Sequence, residues 1–350
     1  MPDGRVARRT TLTKLTVLVL SLLVPGILFS FTQQIRVENL TTEFVKANLP
    51  TRLALTKTLI QRGKEAVPVV LPLLDDADVE IQIQALGILE RIGAVEARRN
   101  ISTKLTDRNP VVRAAAASAL GGLGDDDAVP SLLATLTDPD QTVRIHSTLA
   151  LGRLKAVSAG PVFRSIVTRG NLDASERQAA IMSLGELRST EAVDDLISIA
   201  TRTTEQETTR SIAIASLGEI GDTQALRPIL DFLEDTSETI RFNAVASLGS
   251  LGAPEAEDAL IQVLRNQHEA DFIRIRAAWA IRNIGTDVCI KELFRAASAD
   301  NEFIAMHAVR VLIVTNTPGS RAAAASLAAR SKDTFVLSTI DRLMKDTVEK

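Results

Sequence analysis

The sequence predicts an all-α protein: a right-handed superhelix of about nine stacked helix pairs, carried behind one N-terminal transmembrane helix. Three observations predict it. A phrase of the form Ala-Leu-Gly-x-Leu-Gly recurs along the chain at spacings of 31 or 33 residues. Apolar residues between its copies keep the spacing of one helix face. Leu15 to Ile35 holds no charged residue.

The composition fits thin helix layers. Hydrophobic residues make up 45% of the 350, yet only 3% are aromatic and tyrosine is absent. Ala, Leu, Ile and Val dominate, and small aliphatic side chains suit closely packed helices better than a broad globular core. The formal net charge is -3. Arg5, Arg8, Arg9 and Lys14 against Asp3 make the first 31 residues basic, so the rest of the chain is more acidic than the total. Such a body does not suit nonspecific binding to nucleic acid, which needs clustered Lys and Arg to displace counterions. One cysteine, Cys289, excludes an intrachain disulfide framework and a Cys-based zinc site.

At the N-terminus, residues 1–14 form a basic tail and 15–35 the predicted signal-anchor. Its apolar centre, Leu15 to Phe31, would rise about 25 Å as a helix, the short end of a bilayer span. Pro25 and Gly26 inside it are tolerated in spanning helices. The basic tail stays on the cytoplasmic side, which puts the remainder across a bacterial inner membrane, in the periplasm. A cleaved signal peptide is the alternative, but cleavage after Ser30 would leave Leu28 at the -3 position, where a small residue is required. Residues 36–48 read as a polar linker and 49–348 as the solenoid.

The recurrent phrase aligns on Leu89, Leu120, Leu151, Leu184, Leu217, Leu248, Ile281 and Leu312. Positions below are counted from this reference residue. A glycine at +4 closes five units, at Gly93, Gly124, Gly221, Gly252 and Gly285, as a left-handed helix stop does. Gly63 closes a degenerate earlier unit. Each period holds a first helix, such as the one opening at Val129-Pro130, a turn such as Thr137 to Asp140, and a second helix. On the second helix, positions -8, -4, -3, 0 and +3 share a face: Val112, Ala116, Ala117, Leu120 and Leu123 in one unit. No single pair buries that stripe, so units must stack. Position -7 is Arg113, Arg144, Arg177, Arg210, Arg241 and Arg274, about 20° from the reference direction. Asp107, Asp138 and Asp235 lie six residues before three of these arginines, placed for charge-assisted bonds within or between units.

Asp-x-x-x-x-Val/Ile-Arg and Ala-Leu-Gly-x-Leu-Gly together resemble the HEAT-repeat family, and within it the short-repeat branch of the phycobilisome chromophore lyases. The resemblance covers roughly 60–315. It implies a solenoid in which turn Asp and helix Arg form a ladder, with Gln82 and Ala305 departing from the pattern at the two ends. It leaves function open, because the family includes scaffolds, lyases, a metal hydroxylase and DNA glycosylases.

No catalytic constellation is visible. His146, His268 and His307 belong to separate repeats, and His268-Glu269 is the lone His-Glu pair, too few for a di-iron hydroxylase site. Cys289, in an apolar stretch, reads as packing. Asp125 to Asp127 reads as helix-start charge. Positions -6, -5, -2 and +2 of the second helices face away from the core, which in such solenoids is the concave side. A solvated face should be polar, yet this one holds Ile145, Leu149, Met182, Ile212, Phe242, Ile275, Trp279 and Met306, with Arg153, Arg276, Arg310, Glu186 and Glu219 as a polar rim. Met and aromatic side chains on a groove serve peptide and helix recognition. The expectation is a non-enzymatic, membrane-anchored scaffold without a cofactor or metal, binding a protein partner through that face. The alternative is a lyase-like protein that handles a tetrapyrrole or other prosthetic group.

Overall fold

The computed structural model describes residues 40–169, 173–298 and 301–330, together with 337, 338 and 340, and all regular structure among them is helical. The predicted membrane span, 15–35, lies outside the described residues. Among those described, no helix is long and apolar enough to cross a membrane. The chain divides into two compact units, residues 1–150 and 151–350.

The first unit holds α1 (Leu49–Arg62), α2 (Val67–Val70), α3 (Val79–Ile92), α4 (Arg98–Thr103), α5 (Pro110–Leu123), α6 (Val129–Thr135) and most of α7 (Gln141–Arg153). The second holds the end of α7 and then α8 (Gly160–Thr168), α9 (Ala174–Glu186), α10 (Val193–Thr201), α11 (Glu207–Ile220), α12 (Leu226–Asp231), α13 (Glu238–Leu251), α14 (Glu257–Arg265), α15 (Asp271–Ile284), α16 (Asp287–Ala297), α17 (Glu302–Thr315) and α18 (Pro318–Arg330). Odd-numbered helices are the second helices of the pairs and even-numbered ones the first. Each first helix packs on its own second helix, as α8 does on α9 and α14 on α15, while second helices stack on one another, α3 on α5 and α9 through α17 in turn.

The core follows the predicted stripe. All eight reference residues are fully buried, and so is every residue at -4 from Ala116 to Ala308. Ser147, the one exception to Ala there, receives a 2.6 Å hydrogen bond from the buried Thr135 hydroxyl on the paired helix. Side-chain caps start several of the second helices, though not α11 or α15: Asp78 accepts from the Glu80 amide and Ser237 from the Ile240 amide.

The predicted left-handed stop is present at Gly93, Gly124, Gly221, Gly252 and Gly285, with φ between 60° and 77°. The three units without glycine keep the same turn. Lys155, Arg188 and Asn316, each at +4, have φ of 51°, 51° and 50°. The backbone geometry is therefore set by the helix-to-helix turn, and two L-residues with long side chains adopt a conformation that costs them about 1–2 kcal/mol.

The stretch read as a linker, 36–48, differs from expectation. Residues 40–46 are helical, Phe44 is fully buried, and the Thr41 hydroxyl donates to the Val69 carbonyl at 2.9 Å. Leu40 and Phe44 are one turn apart, enough to dock a short helix that its polar neighbours disguise.

Candidate protein-binding face

Two devices bring the second helices close enough to present one face. The first is the glycine at +1. A Cβ on Gly218 would lie 2.6 Å from Ser247 Cβ, and one on Gly249 would lie 2.7 Å from Ala280 Cβ. The small residue at -1 of the following unit lies against each of these glycines, joined at Gly152 and Gly185 by the Glu186 and Glu219 carboxylates, and two of the serines there donate back. Ser216 bonds the Ile181 carbonyl at 3.1 Å and Ser247 bonds the Ile214 carbonyl at 2.8 Å.

The second device is the arginine ladder. The carboxylate partner lies in the following unit: Arg113 holds Asp138, Arg177 holds Glu205, Arg210 holds Asp235 and Arg241 holds Glu269, at 2.7–2.8 Å. Within its own unit the arginine bonds backbone. Where 31 residues separate the units, Arg113, Arg144 and Arg241 donate to the carbonyl six residues back, at Asp107, Asp138 and Asp235. Where 33 separate them, Arg177, Arg210 and Arg274 donate to the carbonyl ten residues back, at Val167, Ala200 and Leu264. The longer turn moves the end of the first helix into reach. At the departing repeat, Gln82 makes the same six-back bond to the Asp76 carbonyl, at 2.6 Å. These arginines are structural.

Of the eight residues expected to line the face, Met182 is exposed and the other seven are half-buried. Ile145 and Leu149 lie in the first unit, the other six in the second. On α13, α15 and α17 the structure gathers a cluster. Phe242, Ile275 and Met306 share position -6. The Arg276 guanidinium lies 5.7 Å from the Phe242 ring centre and that of Arg282 lies 5.9 Å from Trp279. Phe272 tilts against Phe242 at 5.8 Å. Phe272 and Phe303 are 48% and 54% exposed and were not anticipated. Both sit at position -9, one heptad before Trp279 and Arg310, a place on the same face that a wheel begun at -8 leaves out. Trp279 borders a shallow groove of about 170 Å³ with Ala246, Gly249, Arg276 and Asn283.

The expected rim divides. Arg153, Glu186 and Glu219 meet with Lys155 and Arg188 in a separate groove of about 540 Å³, floored by Gly152, Gly185 and Gly218. Burial pushes both glutamate carboxyls up; Arg153 opposes this at Glu186 and Arg188 at Glu219. Arg276 and Arg310 stay with the aromatic cluster. A larger groove of about 720 Å³ runs along the turns and first helices; three of its charges, Asp235, Arg241 and Glu269, are ladder partners already bonded.

The remaining candidates have plain placements. His146 is half-buried, with Nδ1 2.6 Å from the Ser118 hydroxyl. His307 is also half-buried, edge-on to Phe303, and burial lowers its pKa, with the Arg310 charge adding to this. Asp125 is buried, 3.8 Å from Arg98 of the preceding unit. Among the described residues no group of three His, Cys, Asp or Glu is placed to hold a metal. Cys289 is fully buried at +8. In the six preceding units +8 is Ala97, Ala128, Ala159, Ala192, Ala225 and Ala256, all buried, and in the next it is the buried Ser320. The thiol occupies a small-residue slot, and burial raises its pKa.

The family of HEAT repeats matches residues 99–173, 167–227 and 201–272. The chain is a HEAT-repeat protein. Solved structures similar to it include human deoxyhypusine hydroxylase in complex with glycerol, 21% identical, TM-score 0.35, covering 82% of this chain and 98% of that one. The CpcE–CpcF complex of phycocyanin lyase from Nostoc sp. PCC7120 is 22% identical, TM-score 0.38, covering 79% and 94%. Kap95p, in a structure with RanGDP, is 13% identical with TM-score 0.51, covering 88% of this chain and 50% of Kap95p. At these identities the likeness concerns the HEAT fold alone. No curated protein matches the sequence.

Proposed function

We propose that this HEAT-repeat protein is a non-catalytic scaffold, anchored by residues 15–35 in a bacterial inner membrane, that holds a protein partner in the periplasm. The observation that carries this reading is the aromatic and aliphatic cluster of Phe242, Phe272, Ile275, Trp279, Phe303 and Met306 on outward positions of adjacent second helices, where solvation alone would favour polar residues. Aromatic side chains flanked by arginine are the residue types that dominate binding energy at interfaces. The apolar run with its basic tail supports the anchor.

The test is purification of the full-length protein from its native membranes, beside a Phe242→Ala/Trp279→Ala variant, with mass spectrometry and an absorption spectrum. The scaffold reading expects a stoichiometric protein with the wild type, its loss in a variant of unchanged helicity, and a colourless sample. Equal capture by both, or bound pigment, overturns it.

A further inference from the structure

The arginines on the α13–α15–α17 face differ from those of the ladder. Ladder arginines give their N–H groups to carboxylates and backbone carbonyls. Among the described residues, Arg276, Arg282 and Arg310 have no carboxylate within ion-pair distance, and two of them lie over aromatic rings. A guanidinium stacked on a ring keeps its N–H edge free for an oxygen acceptor. The nearest acid on the same helix, Asp271, is taken by Arg274 at 3.1 Å and by Asn301. Among the described residues the face is thus apolar at its centre and carries three arginines without a carboxylate partner.

We infer that this face binds an acidic amphipathic helix of a partner protein, with apolar residues seated among Phe242, Trp279 and Phe303 and with Asp or Glu side chains meeting Arg276, Arg282 and Arg310. The inference rests on the scaffold reading and adds the partner's chemistry. Charge complementarity selects the acid. The backbone favours the helix: a surface built of helices offers no row of free amides to pair with an extended strand, whereas a helix satisfies its own backbone as it seats its side chains. The geometry agrees. Neighbouring second helices pack about 8–10 Å apart, and a helix rises about 10 Å in seven residues, so one apolar face repeating every heptad meets successive repeats.

Trp279 is the only tryptophan in the chain, so its emission reports occupancy directly. The full-length protein in detergent is titrated with a synthetic helix of about five turns, carrying Leu and Phe along one face and Glu beside it, and with a counterpart carrying Lys for Glu. The expected result is a change in Trp279 emission with affinity at least about tenfold tighter for the acidic peptide, weakened by salt. Arg276→Glu/Arg310→Glu inverts the preference with helicity unchanged. Equal binding of the two peptides, binding of neither, or a preference that survives the charge reversal overturns the inference. So does an arginine-dependent response to phosphatidylglycerol vesicles without peptide binding, which assigns the face to lipid. The scaffold reading is judged separately, by whether Phe242→Ala/Trp279→Ala releases the native partner.

Discussion

Arg241 grips Glu269 of the following repeat with both arms of its guanidinium, Nε to Oε2 at 2.8 Å and Nη2 to Oε1 at 2.9 Å, while its remaining nitrogen closes its own turn on the carbonyls of Asp235 and Thr236. One side chain therefore fixes the shape of a repeat and its spacing to the next. Both partners are largely shielded from water, which separates this pair from a surface ion pair. Arg241→Ala and Glu269→Ala are expected to lose about 1–3 kcal/mol each, with coupling above about 1 kcal/mol in a double-mutant cycle. Arg241→Lys recovers only part, because an ammonium cannot make the fork. Urea unfolding of the four proteins checks this; additive losses would mean the pair is solvated.

The carboxyls of the two environments predict opposite pH responses. The bonds from Arg113 and Arg241 hold Asp138 and Glu269 below the ordinary carboxylate range. Their stabilisation is present above that range and is lost as pH falls through the depressed values. Burial raises Glu186 and Glu219, so their contribution is full below the ordinary glutamate range and is lost as pH rises through the raised values. Glu269→Gln is expected to lower the melting temperature at neutral pH and Glu186→Gln to raise it, both differences shrinking in acid. Thermal melts across pH 3–7 read this out, and differences that do not vary with pH would reject it.

Lys155 and Arg188 occupy the left-handed stop that glycine fills in five other repeats. Lys155→Gly and Arg188→Gly should each stabilise the protein by about 0.5–1 kcal/mol, less than the full strain because glycine also gains freedom when unfolded. Lower melting temperatures in both variants would show that the long side chains contribute packing that outweighs the strain.

Two helical glycines should respond in opposite directions. A Cβ at Gly218 meets Ser247 at 2.6 Å, whereas one at Gly87 meets nothing within 4 Å. Gly218→Ala is expected to cost about 1–3 kcal/mol through overpacking. Gly87→Ala should gain about 0.5–1 kcal/mol in helix propensity. Similar effects at both positions would mean the close approach at Gly218 relaxes without penalty.

Cys289→Ala should be nearly neutral, because alanine fills the same buried slot in six other repeats, while Cys289→Leu costs about 1–3 kcal/mol. A thiol reagent should label native protein only at the rate of local or global opening. Rapid labelling without denaturant would contradict the buried placement.

The sequence by itself determined the repeat, its helix faces, its stops and its core, because all of these are set within about 30 residues by helical periodicity and by what glycine and proline allow. Leu89 through Leu312 could be placed in the core from spacing alone. It also named most of the apolar cluster, since Phe242, Ile275, Trp279 and Met306 break the polar pattern of their face.

Tertiary structure decided how one repeat meets the next. The sequence paired turn Asp with helix Arg within or between units; the structure takes the carboxylate from the following unit, as with Asp138 and Asp235, and in the longer repeats it is Glu205 or Glu269. The +1 glycines matter through contacts some thirty residues away, the +8 slot that explains Cys289 is small because another helix crosses it, and the left-handed turn persists at Lys155 and Arg188 where no glycine signals it. The rim expected as one set separates into two places, since Arg153, Glu186 and Glu219 close on a glycine floor while Arg276 lies over the Phe242 ring and Arg310 sits on the outward side of α17 near His307. Periodicity along one helix records which residues face inward; it carries no record of which neighbour they meet, because stacking distance and turn length are properties of two repeats together.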